Sequence, residues 1–153
     1  MDNSDQFKLP QEFYKLTIGK STEDDVKNIL GKPTKREEVT KDVEHYDIKT
    51  PTTMFFQYED KKIDIMFRRK NKRSKYILDH IGFSVGTQVD FGENIILGKS
   101  KREDIINKFG NGINEIGADL CYKIKDKEIY YSFLMDEKDI LVRVLICSTQ
   151  NCL

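Results

Sequence analysis

The sequence predicts an α+β fold: two tandem helix-plus-antiparallel-sheet repeats forming one continuous sheet with helices on one face. Three observations predict it. A fourteen-residue motif recurs, each copy continues at helical apolar spacing, and each helix is followed by runs that alternate with period two. The first copy, from Ile18, reads IGKSTEDDVKNILG, and the second, from Leu97, reads LGKSKREDIINKFG. An offset of 79 places Gly19 on Gly98, Lys20 on Lys99, Ser21 on Ser100, Asp25 on Asp104, Asn28 on Asn107 and Gly31 on Gly110. A second match, DKKIDIMF (60–67) against DKEIYYSF (126–133), has an offset of 66, which leaves 13 more residues between helix and hairpin in the first copy. The chain therefore reads as a duplication, with units at 1–84 and 85–153 sharing one compact body.

The elements follow in order. A short leading helix is expected over 10–16, with Pro10 near its first turn. Ser21 and Ser100 are the expected helix N-caps, since a serine hydroxyl can accept from an orphan amide of the first turn. Asp24 and Glu103 stand three residues on, at capping-box spacing. Val26, Ile29 and Leu30 then mark one helical face, and Ile105, Ile106 and Phe109 the other. Gly31 and Gly110 sit where a left-handed C-cap stops a helix, and Pro33 follows the first.

Strands are expected near 43–48, 53–59, 62–68 and 76–84 in the first unit, and near 119–125, 128–134 and 139–147 in the second. Turns are expected at 59–61, 125–127 and 136–138. Alternation assigns to the core Ile63, Ile65 and Phe67, then Ile129, Tyr131 and Phe133, then Ile140, Val142, Val144 and Ile146.

Composition excludes several classes of function. At 153 residues there is room for one ordinary domain, and 26 basic residues balance 26 acidic ones, so no global field gathers nucleic acid or an anionic membrane. No apolar run approaches the ~18 residues needed to span a bilayer, and the first residues lack the apolar core of a signal peptide. The expectation is a cytoplasmic protein whose three cysteines, Cys121, Cys147 and Cys152, are reduced thiols.

The chemical motifs are few. Gly-Lys-Ser appears twice, but a phosphate-binding loop needs a glycine five residues earlier, where Tyr14 and Glu93 stand. His45 and His80 lack Cys or His partners at metal-ligand spacing, and no nucleophile elbow is present. No cofactor, metal or catalytic set is expected.

What remains is a basic hairpin and an uncovered sheet face. The stretch RRKNKRSK (68–75) holds six basic residues in eight without the interleaved aromatics that stack bases, so an acidic protein surface suits it better than RNA. Alternation gives the uncovered face Phe55, Gln57, Asp64, Met66, Arg68 and His80 from the first unit. From the second it takes Lys123, Tyr130, Ser132, Leu134 and Arg143. Tyr, Phe, Met and Arg among a few charges suit a protein interface. The expected partner-binding set is thus that face without Gln57, together with Arg69, Lys72 and Arg73 of the hairpin.

The motif IGKSTEDDVKNILGKP resembles the helical signature of the SmpA/OmlA outer-membrane lipoprotein family, and its tandem form resembles the beta-lactamase inhibitory proteins. The resemblance implies two units side by side whose joined sheet grips an enzyme. Without a lipobox or signal peptide, it implies a cytoplasmic immunity protein that covers the active site of a cognate toxin, with a nuclease as the leading class. A monomer entering a heterodimeric complex is the expected form. The alternative is a cell-envelope assembly scaffold of the lipoprotein type.

Overall fold

The computed structural model describes residues 13, 15–39, 52–89, 91, 94–111, 114–116, 119–123 and 129–148. Helix α1 spans Glu23–Leu30, followed by β1 (Lys35–Val39), β2 (Thr53–Tyr58), β3 (Ile63–Arg68) and β4 (Ile77–Ser84). Helix α2 spans Arg102–Phe109, followed by β5 (Asn114–Ile116), β6 (Asp119–Lys123), β7 (Ile129–Met135) and β8 (Leu141–Ser148). All eight strands form one sheet, in the order β1-β2-β3-β4-β8-β7-β6-β5, and every neighbouring pair is antiparallel. The fold is α+β. The strand expected at 43–48, the turn at 125–127 and most of the helix at 10–16 lie outside the described residues.

The sheet order reads the same from either edge, and local geometry repeats about the β4–β8 seam. The amide of Gly19 donates to the Leu78 carbonyl at 2.8 Å, and that of Gly98 to the Leu141 carbonyl at 2.7 Å. Thr22 bridges to Ile77 as Lys101 does to Ile140. The Tyr58 hydroxyl donates to the Gly31 carbonyl at 2.8 Å, and the Tyr122 hydroxyl to the Gly110 carbonyl at 2.7 Å. Across the seam itself Gly82 faces Leu145.

Each half also carries one bulge. Met66 pairs with His80 but Phe67 pairs with Leu78, which leaves Asp79 as the extra residue of β4. Leu134 pairs with Arg143 but Met135 pairs with Leu141, which leaves Val142 extra in β8. The bulges fall after Met66 and after Leu134, so corresponding residues of β3 and β7 lie 68 apart, not the 66 of the sequence match. A slip of two residues keeps every side chain on its face, which is why the core assignment of these strands survives it.

One core cluster contains the inward residues of both halves together with Val26 of α1 and Ile105 and Phe109 of α2. Ile63, Ile65, Phe67, Tyr131, Phe133, Val144 and Ile146 are buried as expected, while Ile129 packs against the cluster half-buried. The Phe109 ring stacks on Phe133 at 5.6 Å and packs beside Tyr122 and Tyr131. Ile140 and Val142 are not core residues. The β8 bulge turns Leu141 inward in their place, and both are half-buried.

The helix starts fall one residue later than expected. Thr22, not Ser21, caps α1: its hydroxyl accepts from the Asp25 amide, and the Asp25 carboxylate accepts from the Thr22 amide at 2.8 Å. Lys101, not Ser100, stands before α2, and there only the Asp104 half of the box forms, at 2.8 Å, because a lysine side chain has no acceptor. Ser21 and Ser100 are buried one position earlier, where their hydroxyls accept from the amides of Thr17 and Ile96 at 2.8 Å each. They lock the turn that leads into the helix. Gly31 and Gly110 end the helices with φ of +82° and +79° and ψ near 180°, a region open in practice only to glycine.

The charged edge strand β1 (KREEV) does not announce itself by alternation, since four of its five residues are exposed. An edge rich in charge resists pairing with another chain.

Candidate functional site

The outward residues line up in rows across the sheet. One row runs Phe55, Met66, His80, Cys147, Tyr130, Lys123, through β2, β3, β4, β8, β7 and β6. It unites five of the sequence-predicted residues. The next row runs Gln57, Asp64, Gly82, Leu145, Ser132, Cys121. Beyond it Ser84, Arg143 and Leu134 stand abreast. Phe55, Asp64, Met66, Arg68, His80, Lys123, Tyr130, Leu134 and Arg143 are half-buried. Ser132, in the second row, is only 2% exposed. Neighbours within the rows shade one another, so the face is neither open nor strongly apolar. Among the described residues the exposed large hydrophobics are Val85 and Ile96, both off these rows.

The seam is where this face departs from symmetry. Arg143 donates to the Asp64 carboxylate at 2.6 Å and to the Ser84 hydroxyl at 3.2 Å, and so reaches across β4. The reach is possible because Gly82 lies underneath: a Cβ there would sit 2.5 Å from the Arg143 guanidinium and 2.8 Å from the Asp64 carboxylate. The corresponding position in β8 is Leu145, and Ser132 stands beside it where Asp64 stands beside Gly82. His80, the counterpart of Arg143, turns instead to the bulge residue Asp79, with Nδ1 2.6 Å from its carboxylate in an off-line contact. Arg68 approaches the same carboxylate at 3.6 Å, an ion pair beyond hydrogen-bond length.

Two features of this surface escape sequence reasoning. Gly82 carries no motif, and only its place between Asp64 and Arg143 gives it meaning. Cys147 is disulfide-bonded, with its partner outside the described residues, so the expectation of reduced thiols fails for it. Cys121 is a free, buried thiol, and burial pushes its pKa up, away from reactivity.

The basic hairpin is ordered by local bonds. The Asn71 carboxamide accepts from the Arg73 amide at 2.9 Å and the Ser74 hydroxyl at 3.2 Å, and the Arg69 guanidinium lies over the Tyr76 ring at 4.3 Å. Arg69, Lys72 and Arg73 thus belong to this loop and not to the rows of the sheet. Among the described residues no three His, Cys, Asp or Glu side chains come together as metal ligands, and no helix is long and apolar enough to cross a membrane.

No protein-family model and no curated protein matches the chain. A solved structure to which it is similar is that of a DUF4309 family protein, YjgB, from Bacillus subtilis subsp. subtilis str. 168. The TM-score is 0.56 at 17% identity, over 91% of this chain and 86% of that one. At that identity the likeness speaks for the fold alone.

Proposed function

We propose that the chain is two copies of one helix-plus-sheet unit, with both helices on one face of the sheet, and that the opposite face binds a protein. The paired bonds at Leu78/Leu141, Gly31/Gly110 and the two bulges support the duplication. The contacts of Phe109 with Tyr122, Tyr131 and Phe133 support the placement of α2, and the Lys27 ammonium over the Phe56 ring, at 5.6 Å, supports that of α1. The role is non-catalytic inhibition: an immunity protein that neutralises a cognate toxin, a nuclease being the first candidate, by covering its active site.

The observation that carries this reading is the row Phe55, Met66, His80, Tyr130, in which aromatic and thioether side chains lie at half burial across the middle of the sheet. Eight strands at ~4.8 Å spacing offer a surface roughly 35 Å wide, enough for an interface of about 800 Å² per partner. The ionisable groups beside the row are engaged with one another, as Asp64 is with Arg143, which fits a binding surface better than a reaction centre. An immunity protein is expected to be encoded beside its toxin, so the test is titration calorimetry of the chain against the product of the adjacent gene. Met66→Ala and Tyr130→Ala should each weaken the complex at least tenfold. A complex indifferent to both would remove the face from the account.

The disulfide at Cys147 favours a second reading, an envelope scaffold or inhibitor in an oxidising compartment. Thiol titration of the unfolded, unreduced protein from its native host decides between them. One free thiol fits export, and three fit the cytoplasmic immunity protein.

A further inference from the structure

The basic hairpin holds six basic residues and no acidic one. Lys70, Lys72, Arg73 and Lys75 are exposed, and none pairs with a carboxylate among the described residues. On one side of the loop its charge is answered. The surface there holds Glu23, Asp24 and Glu38 against Arg36, Arg69 and Lys75, three charges of each sign, with the Arg36 guanidinium on Glu23 at 3.1 Å. On the other side it is not. A cleft of about 610 Å³ is walled there by Arg68, Arg69, Lys70 and Lys75, and Asp79 is the one acid lining it. Its floor is Ile77 and Leu78, beside the Gly19 turn.

The cleft therefore joins a net positive wall to an aliphatic floor, on a loop already fixed by Asn71 and by the Arg69–Tyr76 stack. We infer that this cleft takes an acidic segment of a protein partner, its carboxylates on Lys70 and Lys75 and one aliphatic side chain on Ile77. RNA fits less well, because base stacking needs an open aromatic face. Tyr76 is 6% exposed with a guanidinium on its ring, and no aromatic interrupts residues 68–75. The inference rests on the protein-binding reading and gives that partner a chemical character.

The experiment is fluorescence anisotropy with the intact protein at about 0.15 M salt, where the Debye length is ~8 Å. Its three labelled probes are a short Glu/Leu peptide, the matching Gln/Leu peptide and a single-stranded RNA of equal charge. The Glu/Leu peptide should bind best, and Lys70→Gln/Lys75→Gln should weaken it roughly fivefold to tenfold. Lys99→Gln/Lys138→Gln removes the same charge from exposed positions outside the cleft lining and should cost less than about twofold. Equal binding of the two peptides, tighter binding of the RNA, or equal effects of the two double variants would each overturn the inference. Capture of the adjacent-gene protein separates it from the parent reading. If Tyr130→Ala abolishes capture while Lys70→Gln/Lys75→Gln leaves it unchanged, the sheet face stands and the cleft is discarded.

Discussion

The hairpin loops that follow β3 and β7 leave the sheet beside corresponding bulges, yet their chemistry is opposite. One reads RRKNKRSK, the other Asp136-Glu137-Lys138-Asp139. The acidic loop is closed by its own side chain, for Asp136 accepts from the amides of Lys138 and Ile140 at 2.8 and 3.0 Å. The basic loop is longer and leaves Lys70, Lys72, Arg73 and Lys75 exposed. The same contrast appears at the seam, where Asp64 beside Gly82 pairs with Arg143 while Ser132 beside Leu145 offers no charge. Backbone bonds, cap glycines and core faces are shared between the halves, whereas loops and outward residues are not.

The comparison can be broken first at the helices. Phe109 is fully buried among three rings, while its counterpart Leu30 is only half-buried. Phe109→Ala should cost about 3–5 kcal/mol and Leu30→Ala about 1–2 kcal/mol in urea unfolding. Equal losses would mean that the two helices are anchored alike.

A smaller effect concerns the tyrosines that tie each helix end to the sheet. Burial pushes the Tyr58 phenol from its ordinary 10 up to about 12. The folded state then holds this proton longer than the unfolded chain does. Its contribution is complete below pH 10 and is lost as the pH rises through about 12. Stability should fall across that window, and Tyr58→Phe should flatten the fall while costing about 1 kcal/mol at neutral pH for the lost bond to Gly31. Tyr76, also raised by burial, leaves a residual slope. A profile identical in the variant would show that Tyr58 does not set it.

The smallest effect is a gain. Lys101 occupies the cap position that Thr22 fills in the first half, without an acceptor. Lys101→Thr should stabilise by about 0.5–1 kcal/mol, seen as a raised melting temperature. No change would mean that the Asp104 carboxylate alone satisfies the α2 terminus.

Much of the frame was legible because it rests on spacing. Both helices, six of the strands and the inward positions Ile63, Ile65, Phe67, Tyr131 and Phe133 follow from periodicity. The errors are local and physical. Serine is a good cap by chemistry, yet a tight turn drew Ser21 and Ser100 inward and left the cap to the next residue. A bulge adds one residue without altering composition, so Ile140 and Val142 exchanged roles with Leu141. Strand β1 carries almost no apolar residue because neither of its faces is buried. At the site, side-chain types marked the row from Phe55 to Lys123, but Gly82 and the oxidised Cys147 acquire meaning only from their neighbours across the sheet.

The central claim, that the partner sits on the outward face, is tested most directly by hydroxyl-radical footprinting of the chain with and without the adjacent-gene protein. The account predicts that complex formation protects Phe55, Met66 and Tyr130 and leaves Ile29 and Ile106 on the helices as reactive as before. Protection of the helices with the sheet residues unchanged would contradict it.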